Sequence, residues 1–432
     1  MLFLFPLTVT IFAFAMEAAA HRHHPHPHPH PHPHPHHQHQ HRLYISGYDG
    51  TIRTLKYDLG THTAKQIDIL NISNAAPSWL AFQSHHHHHH HGPRMVYATD
   101  ESSPGHIYAI NIQHHTGALS LKQTAKTGDG PVAIAFAGSH PHHHHHHHDD
   151  HHRPPHPPSH PSCLFAADYS AGTVTVHSLK KDGSFADLHP AKTFSFHGSG
   201  PVSSRQDKSY PHQVVTDPAG RFVYVPDLGA DKIHVLAVPH GHKTKCSEVK
   251  LAFSIDAPAG SGPRHLSFFV SPAGTYAYLT SELSNSLTAF QQDPHSGKLR
   301  QIGEPLLVLP PGTTYAGYTD GGPNASEVGL TADGHFVLAG ARGSPDQIDH
   351  IAVFRRSEHD GSITWSNWFP TEGQTVRHFS ITQDPASSLV AAANQDSGSV
   401  IIYSRNPVSG ALTKQVLLND LGKPAFAQFV RA

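Results

Sequence analysis

Methionine and tryptophan occur only three times each in this 432-residue chain, cysteine twice, and charged residues make up just 14% of it. Two cysteines cannot staple a small disulfide scaffold, so stability has to come from an apolar core. Cys163 and Cys246 could pair in a secreted chain or stay buried as separate thiols, and the sequence leaves both open. A formal net charge of −2 lacks the basic surplus of a nucleic-acid footprint, so no nucleic-acid partner is expected. No segment sustains a 3.6-residue apolar period, which argues against a helical solenoid. After Met16 no run is long and apolar enough to cross a bilayer. G-x-S-x-G and H-E-x-x-H are both missing, so serine-hydrolase and zincin chemistry have no signature.

What is present begins with the apolar stretch Leu2 to Met16, too short for a comfortable membrane span and closed by Glu17-Ala18-Ala19-Ala20. Residues 1–20 therefore read as a secretory signal peptide, with an uncleaved anchor as the alternative. A secreted, extracellular protein with no membrane attachment after cleavage is expected. Histidine is abundant: of 48, 31 fall within residues 21–41, 85–91 and 140–160. Residues 21–42 read as a disordered His/Pro-rich tail, and 84–92 and 139–161 as His-rich loop insertions. His85, His86, His87, His142, His143 and His144 are the candidate metal ligands there, with incidental Zn, Cu or Ni binding expected and no cofactor required. Two glycosylation sequons occur, Asn71-Ile72-Ser73 in a loop and Asn324-Ala325-Ser326 at a strand start.

The stretch from Gly262 to Phe290 holds three short β-type runs separated by Pro, Gly, Asn and Ser turns. Its opening pattern, Pro followed by alternating apolar positions, recurs. Copies start at Pro77, Pro131, Pro211, Pro263 and Pro424, with degenerate ones at Ala325 and Val376. Six of the seven lead into a second strand, a tight turn and a third strand. The copy at Pro424 is followed by almost nothing, while Leu43 to Ser46 and Thr51 to Tyr57 look like second and third strands with no first. Pairing the C-terminal strand with the N-terminal ones completes a ring and removes two sheet edges. The expected fold is all-β, a single seven-bladed β-propeller over residues 43–432.

In such a ring the start of strand one and the end of strand two share one mouth of the central channel. The first of these positions supplies His212, Arg264 and Arg377, and the residue after it supplies His265, Glu327 and His378. The end of strand two supplies Tyr48, Tyr169, Leu228, Glu282, Arg342 and Gln395. Because neighbouring strand residues face opposite ways, at most one of each adjacent pair should reach the mouth. Charges at a channel mouth can be plain inter-blade ion pairs, and Arg264 with Glu282 could be one. Three arginines, two acids and a histidine on four consecutive blades exceed what packing needs, since buried charge is costly unless paired. The arginine excess suits an anionic ligand.

At these residues the sequence resembles the lactonase-type seven-bladed propellers, which include cycloisomerase-type 6-phosphogluconolactonases and fungal 3-carboxy-cis,cis-muconate lactonizing enzymes. The resemblance rests on P-H-Q-V-V-T-D-P-A-G from Pro211, G-P-R-H-L from Gly262, A-S-E-V-G-L from Ala325 and V-R-H-F-S-I from Val376. It implies catalytic roles for His212, Arg264, Glu282 and Arg342. Arg377, His378, Glu327 and Gln395 join them as candidate substrate-binding residues. One departure is Gly340-Ala341-Arg342-Gly343 where many relatives have S-N-R-G. The implied activity is opening or closing an internal ester of a small anionic substrate by a monomer, with His212 or Glu282 as acid/base. The alternatives are a propeller that binds metal or anionic surfaces through its histidine loops, and one that has lost turnover.

Overall fold

The computed structural model describes residues 41–83, 93–138, 162–239, 244–344 and 348–431. The leader, nearly all of the tail, both His-rich insertions and the six candidate metal-ligand histidines within them lie outside the described residues.

Seven antiparallel sheets of four strands each make the ring. Blade one is closed as the repeat pattern predicts: β28 (Pro424–Arg431) lies beside β1 (His41–Gly47), followed outward by β2 (Thr51–Asp58) and β3 (Thr63–Asn71). The seam pairs Leu43 with Phe429 and Tyr44 with Gln428. Strand β1 starts at His41, just before the expected boundary, where His41 pairs with Tyr57 and Arg431; the Arg42 guanidinium reaches blade two and donates to the His114 carbonyl at 2.6 Å. Each blade also carries a fourth, outermost strand that the three-strand repeat did not reveal. These strands are less buried, as in β19 (Leu299–Leu307), where exposed and half-buried positions mix. Middle strands are the reverse. Strands β5 (Met95–Asp100), β9 (Cys163–Asp168) and β25 (Leu389–Asn394) are buried at every position, since blades cover both of their faces.

A repeated bond links successive blades. A buried tyrosine on strand two donates its hydroxyl to a glycine carbonyl in the outer hairpin of the next blade. Tyr224 does this to Gly297 at 2.5 Å, Tyr278 to Gly361 at 2.8 Å, and Tyr97 to Gly183. Each such bond contributes about 1 kcal/mol. Cys163, at the start of β9, is disulfide-bonded to Cys246, which resolves the open pairing and joins blade three to a turn of blade four. Its ends are 83 positions apart, so this link removes on the order of 4 kcal/mol of chain entropy from the unfolded state.

Five blades share a local irregularity that matters for the channel. Strand one is bulged at its start in β8 (Pro131–Ala137), β16 (Pro263–Ser271), β20 (Asn324–Leu330), β24 (Val376–Ile381) and β28. A bulge adds a residue on one strand and re-aims the side chains beside it.

Candidate active site at the channel mouth

The bulge between Pro263 and His265 corrects the alternation expected for that strand. Arg264 and His265 are both buried at the centre of the ring, 1% and 2% exposed. Arg264 meets Glu282, which follows β17 (Gly274–Ser281). Gly262 makes this approach possible: it has φ +62°, and a Cβ there would lie 2.5 Å from Leu283. Its carbonyl accepts the Glu282 N–H at 2.8 Å.

Glu282 is clasped by three guanidiniums. Arg264 Nε donates to Oε2 at 2.8 Å, Arg342 Nη2 lies 3.0 Å from the same oxygen, and Arg205 Nη2 donates to Oε1 at 2.6 Å. Burial alone would raise the Glu282 carboxyl, but Arg342, Arg205 and Arg264 outweigh it and hold its pKa at about 2. Burial and the neighbouring Arg342 charge push Arg264 down to about 9, with Glu282 only partly compensating. Both groups are therefore charged at neutral pH. Arg264 Nη1 and Arg342 Nε remain buried with no hydrogen-bond partner among the described residues. These donors are unused by the protein and suit an anionic oxygen.

His212 follows Pro211 at the edge of blade four, where its N–H donates to the Pro226 carbonyl at 2.9 Å. Its ring packs edge-on against Tyr169 at 5.4 Å and His265 at 5.1 Å. Burial first, then the charge of Arg264, drives its pKa well below 6.5, so it is a neutral imidazole at pH 7. Deeper in the channel, Glu327 Oε2 lies 3.0 Å from His265 Nδ1 and 3.7 Å from His378 Nε2. The closer contact is not aligned as a hydrogen bond. Trp79 stands edge-on to both histidines, and Phe426 stacks on His378 at 4.0 Å. Burial raises the Glu327 carboxyl despite those neighbours.

The structure thus brings His212, Arg264, Glu282 and Arg342 to one mouth, with His378 and Glu327 below them. Arg377 stands on the other side, paired with Glu101 Oε2 at 3.1 Å. Gln395 turns to its neighbour Asp396, donating from Nε2 at 3.2 Å. Sequence reasoning missed two residues. Glu101 follows strand two of blade two, the position Glu282 holds in blade five, so the signal was there to be read. Arg205 had none; it comes from the 196–214 loop, which Gln206 anchors by donating to the Leu228 carbonyl at 2.8 Å.

Beside Glu282 a cavity of about 340 Å³ opens, lined by Arg205, Arg342, Asn324, Ser344, Asp349 and Gln374 among others. Arg342 is held there by Gly343, whose φ is +69° and whose added Cβ would lie 2.3 Å from the Gly322 carbonyl oxygen. The second sequon is part of this wall. Asn324 donates to the Gly322 carbonyl at 2.9 Å, and the fully buried Ser326 hydroxyl donates to the Val376 carbonyl at 2.6 Å. Asn71, by contrast, is exposed at the end of β3. Among the described residues no group of three or more His, Cys, Asp or Glu is placed to hold a metal ion.

Residues 42–429 match the family described as "Lactonase, 7-bladed beta-propeller". A 6-phosphogluconolactonase of Bacillus subtilis is 30% identical over 250 residues, 58% of this chain and 65% of that protein, so the match spans less than two thirds of the relative's length. A protein of Arthroderma benhamiae named "Probable 6-phosphogluconolactonase" is 26% identical over 89% of this chain and 88% of its own. The structure of a periplasmic gluconolactonase from Pseudomonas aeruginosa superposes with a TM-score of 0.73 at 25% identity, covering 90% of this chain and 99% of that one.

Proposed function

Because the chain belongs to the lactonase seven-bladed β-propeller family, we propose that it hydrolyses the lactone of a small sugar acid at this mouth. The observation that carries the reading is a buried carboxylate clasped by three arginines, two with unused donors, beside a neutral imidazole. Glu282, held at about 2, is too weak a base to activate water at neutral pH; its work is to gather the guanidiniums. His212 takes the proton from the attacking water as the new C–O bond forms. Arg264 and Arg342 donate to the oxyanion that develops on the lactone carbonyl. Collapse breaks the ring C–O bond, and His212 returns its proton to the departing ring oxygen. The names of the relatives support ring opening over the muconate-cyclising direction. The leader and the Cys163–Cys246 disulfide support secretion into an oxidising compartment.

The test is a panel of δ- and γ-lactones, phosphorylated and not, together with muconates. It is run on the wild type, Arg264→Ala, His212→Gln and a protein lacking 84–92 and 139–161. We expect one or more lactones to be opened. Each site substitution should lower kcat/KM by about 100- to 1,000-fold, and removing the insertions should leave it unchanged. Turnover of no lactone, or undiminished turnover in both substituted proteins, refutes the reading.

A further inference from the structure

Residues 308–323, between β19 and β20, form a strap at the edge of the cavity. The sequence there, V-L-P-P-G-T-T-Y-A-G-Y-T-D-G-G-P, is rich in glycine and proline. Most of its positions from 311 onward are exposed. At Gly312, Gly317 and Gly321 an added Cβ would meet nothing within 4 Å, so the chain there is not packed in place. Two tyrosines tether it. Tyr315 donates its hydroxyl to the Leu283 carbonyl at 2.6 Å, one residue beyond Glu282. The Tyr318 hydroxyl accepts from Arg205 Nη1 at 2.9 Å, and the same guanidinium stands 5.3 Å from the Tyr318 ring centre. Strap residues Gly321 and Gly322 line the cavity together with Arg205 and Arg342.

Arg205 is therefore shared between Tyr318, Glu282 and the open cavity. Both Glu282 oxygens are already engaged by guanidiniums, so its charge is offset locally. The other acid in the wall, Asp349, directs its oxygens to the backbone N–H groups of Val376 at 2.9 Å and Ser344 at 3.4 Å. Two guanidiniums, Arg205 and Arg342, line the cavity with Glu282 and Asp349, and Arg264, paired with Glu282 outside the lining, adds a third positive charge. A planar guanidinium offers five donors in a fixed fork, and the bonds of Arg205 to Glu282, Tyr318 and Tyr169 do not exhaust them.

We propose that Arg205 is a substrate-binding, specificity-determining residue that holds the anionic group of the ligand in this cavity and, through Tyr318, couples its occupancy to closure of the strap. The inference rests on the lactonase reading for the identity of the ligand but not for the binding itself. Its prediction is that an anion fixing Arg205 also fixes Tyr318 and quiets the strap, whereas neutral lactones draw no such benefit.

The strap contains Leu309, Tyr315 and Tyr318 and no basic residue, so chymotrypsin reads its opening without any turnover. Cleavage at these residues is followed by fragment mass, with and without saturating inorganic phosphate, in the wild type, Arg205→Lys and Tyr318→Phe. Phosphate should slow strap cleavage in the wild type and not in Arg205→Lys. Tyr318→Phe keeps a cleavable aromatic and should be cut about fivefold faster without phosphate, the loss of one hydrogen bond. With an anionic lactone, Arg205→Lys should raise KM about tenfold or more at nearly constant kcat. No protection of the wild type, protection persisting in Arg205→Lys, or wild-type cleavage of Tyr318→Phe would overturn the proposal. Protection without turnover of any lactone upholds this inference and sinks the lactonase reading; turnover without protection does the opposite.

Discussion

Glu282 and Glu101 occupy the same place in the repeat, the residue after strand two, in blades five and two. They stand in opposite surroundings. Glu282 is almost fully buried among Arg205, Arg264 and Arg342. Glu101 is partly exposed and meets one guanidinium, Arg377 at 3.1 Å, and the Tyr48 hydroxyl at 2.7 Å. Arg377 also lies over the Tyr48 ring at 5.4 Å, completing a small closed group. One side of the mouth is overcharged with arginine and leaves donors unspent. The other is a balanced ion pair of the ordinary inter-blade kind. A shared position in a repeat is thus only an address, and the chemistry depends on what the neighbouring blades send to it.

Substituting the two acids in turn should break this symmetry most plainly. Glu282→Gln leaves the buried Arg264 and the half-buried Arg205 and Arg342 without their counter-charge and should cost about 3–5 kcal/mol in urea-induced unfolding. Activity should fall with it. Glu101→Gln should cost no more than about 1 kcal/mol. Equal losses would mean that the two sides are energetically alike and that the arginine excess carries no special weight.

Acid titration sharpens the same contrast. A carboxyl whose folded pKa is depressed contributes stability that is complete above its unfolded value and lost as pH falls through the folded value. For Glu282 the window runs from about 4.5 down to about 2, and its size is on the order of 3 kcal/mol. Wild-type stability should therefore fall across this window, and the fall should shrink in Glu282→Gln but persist in Glu101→Gln. Smallest of all, Tyr48→Phe removes one hydrogen bond on the balanced side. It should lower stability by about 1 kcal/mol while leaving KM for an anionic lactone unchanged; a raised KM would place Tyr48 in the binding surface.

Much of this was legible along the chain. The Pro-headed runs at Pro131, Pro263 and Pro424 mark inner strands because alternation and turn residues are local properties. The missing first strand before Leu43 and the orphan strand after Pro424 together required closure. The addresses of Arg264, Glu282 and Arg342 followed from strand order alone. The alternation rule then failed at Pro263–His265, where a bulge turns both neighbours inward, a distortion that depends on how strand two is paired.

The sequence by itself determined the number of blades and the point of closure, because strand period and turn chemistry act over a few neighbouring residues. Only the tertiary structure decided that Glu282 has three guanidiniums and Glu101 one, and that Arg205 and Tyr318 meet at the cavity although they are far apart in sequence. It also decided that Cys163 reaches Cys246. Those contacts form between blades and loops brought together by ring closure, and no local pattern encodes which distant side chain will fill a given buried charge's surroundings.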